Sequence, residues 1–165
     1  MNLLRKLLLP LLLLFQFNIV AQGSLVLAGG GSEDDDWSDR AYGWGVEQSD
    51  NNRVGIISYY QEDRALPDYF LQLGAEVASN IWINSREKAN SDTLYDYLMS
   101  FDFLFLKGGD QSNYYENYRD TEVTRALTDK YEQGGVLGGT SAGLAILSGV
   151  LFSAEGGTVY PDQAL

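Results

Sequence analysis

Residues 138–143, GGTSAG, place a serine among glycines where a nucleophile could be presented. An apolar stretch precedes this segment and a helix-like run, residues 144–147, follows it, so Ser141 falls at a sharp strand-to-helix turn. Residues 139–143 satisfy the pattern G-x-S-x-G. Glycines suit such a turn because strand and helix come too close there for larger side chains. The pattern predicts a serine nucleophile at Ser141.

A second use of such a turn is to stabilise negative charge. A helix that begins after the serine aims unpaired backbone N–H groups, including that of Ala142, at an oxyanion. An ordinary glycine-rich connection remains the alternative interpretation. A nucleotide-phosphate loop is disfavoured, because residues 29–31 do not continue as G-x-G-x-x-G and no G-x-x-x-x-G-K-S/T occurs.

The usual partner of a catalytic serine is absent, because the 165 residues contain no histidine. A serine without a base is a poor nucleophile. Lys107 could replace histidine as the base, as in serine–lysine enzymes, although a lysine at a strand end is usually solvated.

Without histidine or cysteine the common zinc sites and disulfides are excluded. The acidic residues 32–39 lack the pattern of a calcium loop and are interpreted as solvated surface.

Composition predicts one globular domain, since 45% of residues are hydrophobic and 13% aromatic. The net charge of −12 makes nucleic acid an unexpected partner, because binding phosphates requires a basic face. An acidic protein favours cationic ligands such as basic peptides, although solubility explains the charge equally well. The sequence leaves the oligomeric state open, a homodimer included.

Residues 1–21 have the organisation of a secretory signal peptide. Arg5 and Lys6 precede a short apolar block that ends in small residues near Ala21. That block is shorter than the roughly 20 residues that span a bilayer, so a membrane anchor is the weaker interpretation. We therefore expect a secreted or periplasmic protein that is not membrane-bound, with residues 22–165 forming the N-terminal portion of one domain.

Strands and helices are predicted to alternate along this domain. Strands are predicted over residues 24–28, 53–58, 76–83, 101–106 and 135–139, and helices over residues 64–73, 91–100 (with Ser91 as N-cap), 112–118 and 121–133. This order predicts an α/β fold with a mostly parallel, doubly wound sheet between two helical layers. Ligands bind at the carboxyl ends of such strands. The glycine-rich breaks at residues 29–31, 108–110 and 138–143 should therefore converge at one edge.

Three segments carry a resemblance to a known family. "VLAGGG", "FLKGGDQSNYY" and, about thirty residues later, "GGTSAGLAIL" make residues 24–165 similar to the cyanophycinase branch of serine peptidases, which are related to aspartyl dipeptidase. The resemblance implies the flavodoxin-like fold of the class I glutamine amidotransferases. It also implies a peptide substrate, such as cyanophycin or a β-aspartyl peptide, and no metal or organic cofactor.

The resemblance also implies roles for individual residues. Ser141 would be the nucleophile of a serine–acid–histidine triad. The backbone N–H of Ala142 and one near Gly109 or Asp110 would form the oxyanion hole. Gln111 would line the substrate pocket, and it separates the cyanophycinase branch from the dipeptidase branch, which lacks GGDQ. Its alternative role is that of a locally hydrogen-bonded residue at the start of a helix.

The sequence offers two candidates for the triad acid and no histidine for the base. Glu155 is the candidate for the acid that orients the histidine, and Asp162 is the second candidate; either could be an ordinary loop carboxylate. In the family the histidine follows the serine, so we expect this chain to be the N-terminal part of a longer domain and nearly inactive alone. An α/β-hydrolase esterase and a non-catalytic secreted binding module remain alternative functions.

Overall fold

A computed structural model of the chain describes residues 22–31, 36–61 and 64–150. The strands are β1 (Ser24–Ala28), β2 (Arg53–Ser58), β3 (Val77–Trp82), β4 (Phe103–Leu106) and β5 (Val136–Thr140). The helices are α1 (Asp36–Glu47), α2 (Ala65–Gln72), α3 (Arg86–Ala89), α4 (Leu94–Met99), α5 (Gln111–Tyr118), α6 (Glu122–Glu132) and α7 (Ala142–Ile146).

The five strands form one parallel sheet in the order β1-β5-β4-β2-β3. In the central strand β4 all four side chains are buried, as expected for a strand covered on both faces. Because every pair is parallel, the carboxyl ends of all five strands lie at the same edge of the sheet. The predicted α/β fold with a doubly wound parallel sheet is confirmed.

Helices cover both faces of the sheet and give the fold its three layers. On one face, Tyr42 of α1 and Phe70 of α2 pack on Phe103 and Phe105 of β4. On the other face, helices α4 to α7 cover Leu104 and Leu106, the alternate side chains of β4. Within the described ranges, no helix is long and apolar enough to cross a bilayer.

Helix α1 was not predicted, because its sequence DWSDRAYGWGVE contains two glycines and two aspartates, which are poor helix formers. Packing stabilises the helix instead, since the ring of Tyr42 is fully buried and stacks on Phe70. The Tyr69 hydroxyl, from α2, donates to Asp39 of α1 at 2.6 Å. Burial, together with this hydrogen bond, raises the pKa of Tyr69 to about 12, so the phenol stays protonated.

The prediction that Ser91 caps a helix was wrong. Helix α4 begins at Leu94, and the carbonyl of Ser91 accepts a hydrogen bond from the Leu94 N–H at 2.9 Å, which makes Ser91 part of the preceding turn. A short helix that was not predicted, α3, is capped by Ser85, whose hydroxyl accepts from the Lys88 N–H. Helix α4 packs on the core through Leu98, which is fully buried.

Candidate active site

Ser141 is the residue at which β5 turns into α7. Its backbone angles, φ 50° and ψ −116°, lie in a region that residues other than glycine rarely adopt. Such conformations cost about 1–3 kcal/mol and persist only where the surroundings enforce them. Here the Ser141 N–H donates to the Ala28 carbonyl of β1 at 2.9 Å, and its carbonyl accepts from Ala145 in α7 at 3.0 Å. The strained turn leaves Ser141 exposed at the carboxyl edge of the sheet.

The glycines two positions before and after Ser141 allow this turn to form. A Cβ atom on Gly139 would lie 2.5 Å from the carbonyl carbon of Gly143. A Cβ atom on Gly143 would overlap the carbonyl oxygen of Leu106 in β4. Both positions therefore need glycine for close approach of backbones, which is the reason that a nucleophile elbow has the pattern G-x-S-x-G.

Glycine-rich turns from the two neighbouring strands flank Ser141. A Cβ atom built on Gly30, after β1, would lie 3.3 Å from the Ser141 Cβ and 3.7 Å from its Oγ. One built on Gly108, after β4, would lie 3.4 Å from the same Cβ. The structure thus brings the three glycine-rich breaks together at one edge. Because both flanking positions are glycines, neither places a side chain against Ser141.

The residues expected to form the oxyanion hole lie on either side of the serine. Ala142, which is buried, is the first residue of α7, and the first N–H groups of a helix have no acceptor within the helix. Gly109 and Asp110 follow Gly108 in the turn after β4 and are exposed. The structure places Ala142 and the turn after β4 next to Ser141, and the individual donor roles stay predictions.

Asp110 has a structural role within the same turn. It is the N-cap of α5, and its carboxylate accepts hydrogen bonds from the hydroxyl and the backbone N–H of Ser112. These hydrogen bonds, the hydroxyl contributing most, lower the pKa of Asp110. The side chain is therefore directed to the helix, so a contribution of Asp110 to an oxyanion hole would come from its backbone.

Replacing Asp110 with alanine should lower the free energy of unfolding by about 1 kcal/mol at neutral pH, the usual cost of losing an N-cap. Because the folded protein lowers this pKa, the charge-dependent part of the stabilisation is present above the unfolded pKa and is lost as the pH falls through the folded pKa. The difference between wild type and Asp110→Ala should therefore shrink below about pH 4. Urea unfolding from pH 3 to pH 7 measures it. Asp110→Asn, which keeps the cap without the charge, is the matched control. If the difference in unfolding free energy between wild type and Asp110→Ala does not change with pH, the charge of Asp110 does not contribute to the cap.

Gln111 and Lys107 bracket the turn. Gln111 is the first residue of α5 and is half-buried, a position that fits its predicted pocket role as well as its alternative role at a helix start. The Lys107 N–H donates to Ile57 at 3.0 Å, and its carbonyl accepts from the Tyr114 hydroxyl at 2.9 Å. These contacts fix the backbone that enters the turn. The alternative role of Lys107 as a base stays a prediction.

The two candidates for the triad acid, Glu155 and Asp162, lie outside the described residues, as do residues 1–21 of the predicted signal peptide. Their assignments stay predictions. Within residues 22–31, 36–61 and 64–150, no three acidic side chains are grouped as a metal site would require.

Sequence reasoning missed three residues beside the turn. The Tyr60 ring, after β2, lies 3.3 Å from the position that a Gly109 Cβ would occupy. The side-chain amide of Asn113 donates to the Tyr60 hydroxyl at 3.1 Å, and Tyr114 supports the backbone of Lys107 as described above. A signal existed for Tyr60, because it follows the buried strand β2 by two residues and so had to lie at the carboxyl edge. No spacing pattern gave Asn113 or Tyr114 a role, although both lie in a predicted helix and in the segment FLKGGDQSNYY.

Solved structures show the same fold. A peptidase from an acI-B1 Actinobacterium superposes with a TM-score of 0.63 at 19% identity, over 80% of this chain and 59% of that one. A candidate peptidase E protein from Listeria monocytogenes EGD-e superposes with a TM-score of 0.53 at 16% identity, over 76% of this chain and 62% of that one. The chain thus spans about three fifths of the length of each.

The comparison with curated protein sequences gives no match. The model of peptidase family S51 matches residues 60–160, which include both the GGDQ turn and the elbow. With more than half of its length matched, and with the fold seen in the two solved structures, the chain belongs to peptidase family S51.

Proposed function

We propose that the complete protein carrying this chain is a secreted serine-type exopeptidase that hydrolyses cyanophycin or related β-aspartyl peptides. The observation that carries the proposal is the strained backbone of Ser141, held between Gly30 and Gly108 in a chain of a peptidase family. A protein without catalytic use for this serine would gain stability by relaxing the turn, since the strain is unfavourable.

In the proposed reaction, Ser141 Oγ attacks the scissile carbonyl and its proton passes to a base. The tetrahedral oxyanion accepts hydrogen bonds from the Ala142 N–H and from an N–H of the GGDQ turn. The base then donates the proton to the leaving amine, and water releases the acyl group by the same steps in reverse. Because the chain contains no histidine, we assign the base to a part of the protein outside these 165 residues.

Secretion is proposed from residues 1–21 alone, whose charged start, apolar block and small residues are those of a signal peptide. The substrate class is proposed from Gln111. Its amide can both donate to and accept from the polar groups of an aspartyl unit, and its place at the start of α5 puts it next to the turn that would hold the oxyanion.

Replacing Gln111 with leucine should lower kcat/KM for a β-aspartyl-arginine substrate by about one to two orders of magnitude. The loss corresponds to roughly 1–3 kcal/mol for substrate polar groups left unpaired. The measurement compares wild type and Gln111→Leu in the complete protein on that substrate and on an α-linked dipeptide. Gln133→Leu, at the end of α6, is the matched control. Equal losses on both substrates would indicate a damaged turn, and no loss on either would remove the reason for assigning β-aspartyl substrates.

A further inference from the structure

Tyr60 lies on the same edge as Ser141, two strands away. Ser141 follows β5, Gly108 follows β4 and Tyr60 follows β2, and these three strands are consecutive neighbours in the sheet. Neighbouring strands are about 4.8 Å apart, so Tyr60 is roughly 10 Å along the edge from the serine. An extended peptide covers this distance in about three residues.

The Tyr60 side chain is held in place but remains accessible. The Ser58 hydroxyl accepts from the Tyr60 N–H and donates to its carbonyl, which fixes the backbone where β2 ends. The ring packs edge-on against Tyr59 and lies beside Gly109, yet 46% of Tyr60 is exposed. Such a residue offers a fixed polar atom to a ligand at little cost in conformational entropy.

The direction of its hydrogen bond decides what Tyr60 can offer. The Asn113 amide N–H donates to the Tyr60 oxygen, so the phenol accepts in this contact. A tyrosine hydroxyl can donate and accept at once, so its own proton stays available for an acceptor above the edge. Carbonyl and carboxylate oxygens of peptides are such acceptors.

We propose that Tyr60 is a specificity-determining residue that donates a hydrogen bond to a carbonyl or carboxylate oxygen of the peptide, roughly 10 Å from the scissile carbonyl. Asn113 is a positioning residue that keeps the phenol oriented as a donor. The inference rests on the proposed function and deepens it. Tyr60 thereby selects substrates long enough to extend from Ser141 across the GGDQ turn to β2.

The test uses the complete protein and a series of peptides from two to five residues. Tyr60→Phe should reduce the preference for long over short substrates, measured as the ratio of their kcat/KM values, about three- to tenfold, the usual effect of one hydrogen bond. The matched control is Tyr97→Phe, because Tyr97 is also 46% exposed but packs on Phe101, which precedes β4 and so lies toward the opposite edge. An unchanged preference in Tyr60→Phe would overturn the proposal.

A second variant separates the donor role from a structural one. In Asn113→Asp the carboxylate would accept a hydrogen bond from the phenol O–H, so the contact survives but the O–H is no longer available to the substrate. The proposal expects Asn113→Asp to lose the length preference as Tyr60→Phe does, whereas a structural role predicts that the preference is kept. Retention in Asn113→Asp would therefore overturn the proposal.

Catalysis is not needed for the last comparison. In the Ser141→Ala background, the Kd of a five-residue peptide, measured by titration calorimetry, should rise three- to tenfold on adding Tyr60→Phe. If the wild-type protein hydrolyses no peptide, the proposed function fails, while this Kd still decides the role of Tyr60. An equal Kd in the two proteins overturns the role of Tyr60 without touching the role of Ser141.

Discussion

Replacing Ser141 with alanine in the complete protein should lower kcat for its peptide substrate by about four to six orders of magnitude, the range expected when the nucleophile of a serine peptidase is removed. The loss should appear in kcat with little change in KM, because the hydroxyl forms a bond to substrate rather than binding it. The folded state should be retained or slightly stabilised, since the exposed Oγ is not part of the core. Steady-state kinetics together with thermal unfolding measure both effects.

The matched control is Ser148→Ala, another exposed serine, which follows α7 and donates to the Ala145 carbonyl. Its kcat should stay within about threefold of wild type, because a surface contact of this kind contributes little. Ser141→Ala with more than about a tenth of wild-type activity would show that another residue is the nucleophile.

The second large effect is on stability. Replacing Gly143 with alanine should lower the free energy of unfolding by about 3 kcal/mol or more, because the new methyl group would overlap the Leu106 carbonyl of β4. Neither atom is at the end of a flexible side chain, so helix and strand would have to separate. That separation would displace the elbow, and activity should fall with stability. Urea unfolding of the complete protein measures the change.

Gly43→Ala is the control for the general effect of replacing glycine. Gly43 lies in the middle of α1, and a Cβ atom there would meet nothing within 4 Å. Alanine should stabilise the protein at this position by about 0.5–1 kcal/mol, because it lowers the entropy lost in forming a helix. If Gly143→Ala is as stable as wild type, α7 does not approach β4 as closely as the structure shows.

Much of the fold could be predicted because most elements follow local rules. The apolar runs of β2 and β4 predicted strands, and the apolar spacing of α2 predicted a helix, all near their observed bounds. Helix α1 could not be predicted, since its local sequence disfavours a helix and the burial of Tyr42 against Phe70 and Phe105 compensates. That burial depends on residues distant in sequence, which no local pattern encodes.

The site was predictable to a similar extent. The spacing of Gly139, Ser141 and Gly143 encodes a steric requirement, so the elbow could be placed from sequence alone. The position of Tyr60 beside Gly109 depends on strand order, with β2 next to β4, and strand order is a property of the whole sheet. Likewise, the donation from Asn113 to Tyr60 joins residues 53 positions apart. Such contacts need the structure.

Covalent labelling of the complete protein with a fluorophosphonate tests whether Ser141 is the activated nucleophile. This reagent phosphonylates a serine hydroxyl only where a base and an oxyanion hole activate it, so it reports the nucleophile without assuming a substrate. We expect one adduct per molecule, located on Ser141 by mass spectrometry of the peptides and absent in Ser141→Ala. An adduct on a different residue, or peptide hydrolysis by a protein whose Ser141 is not labelled, would contradict it.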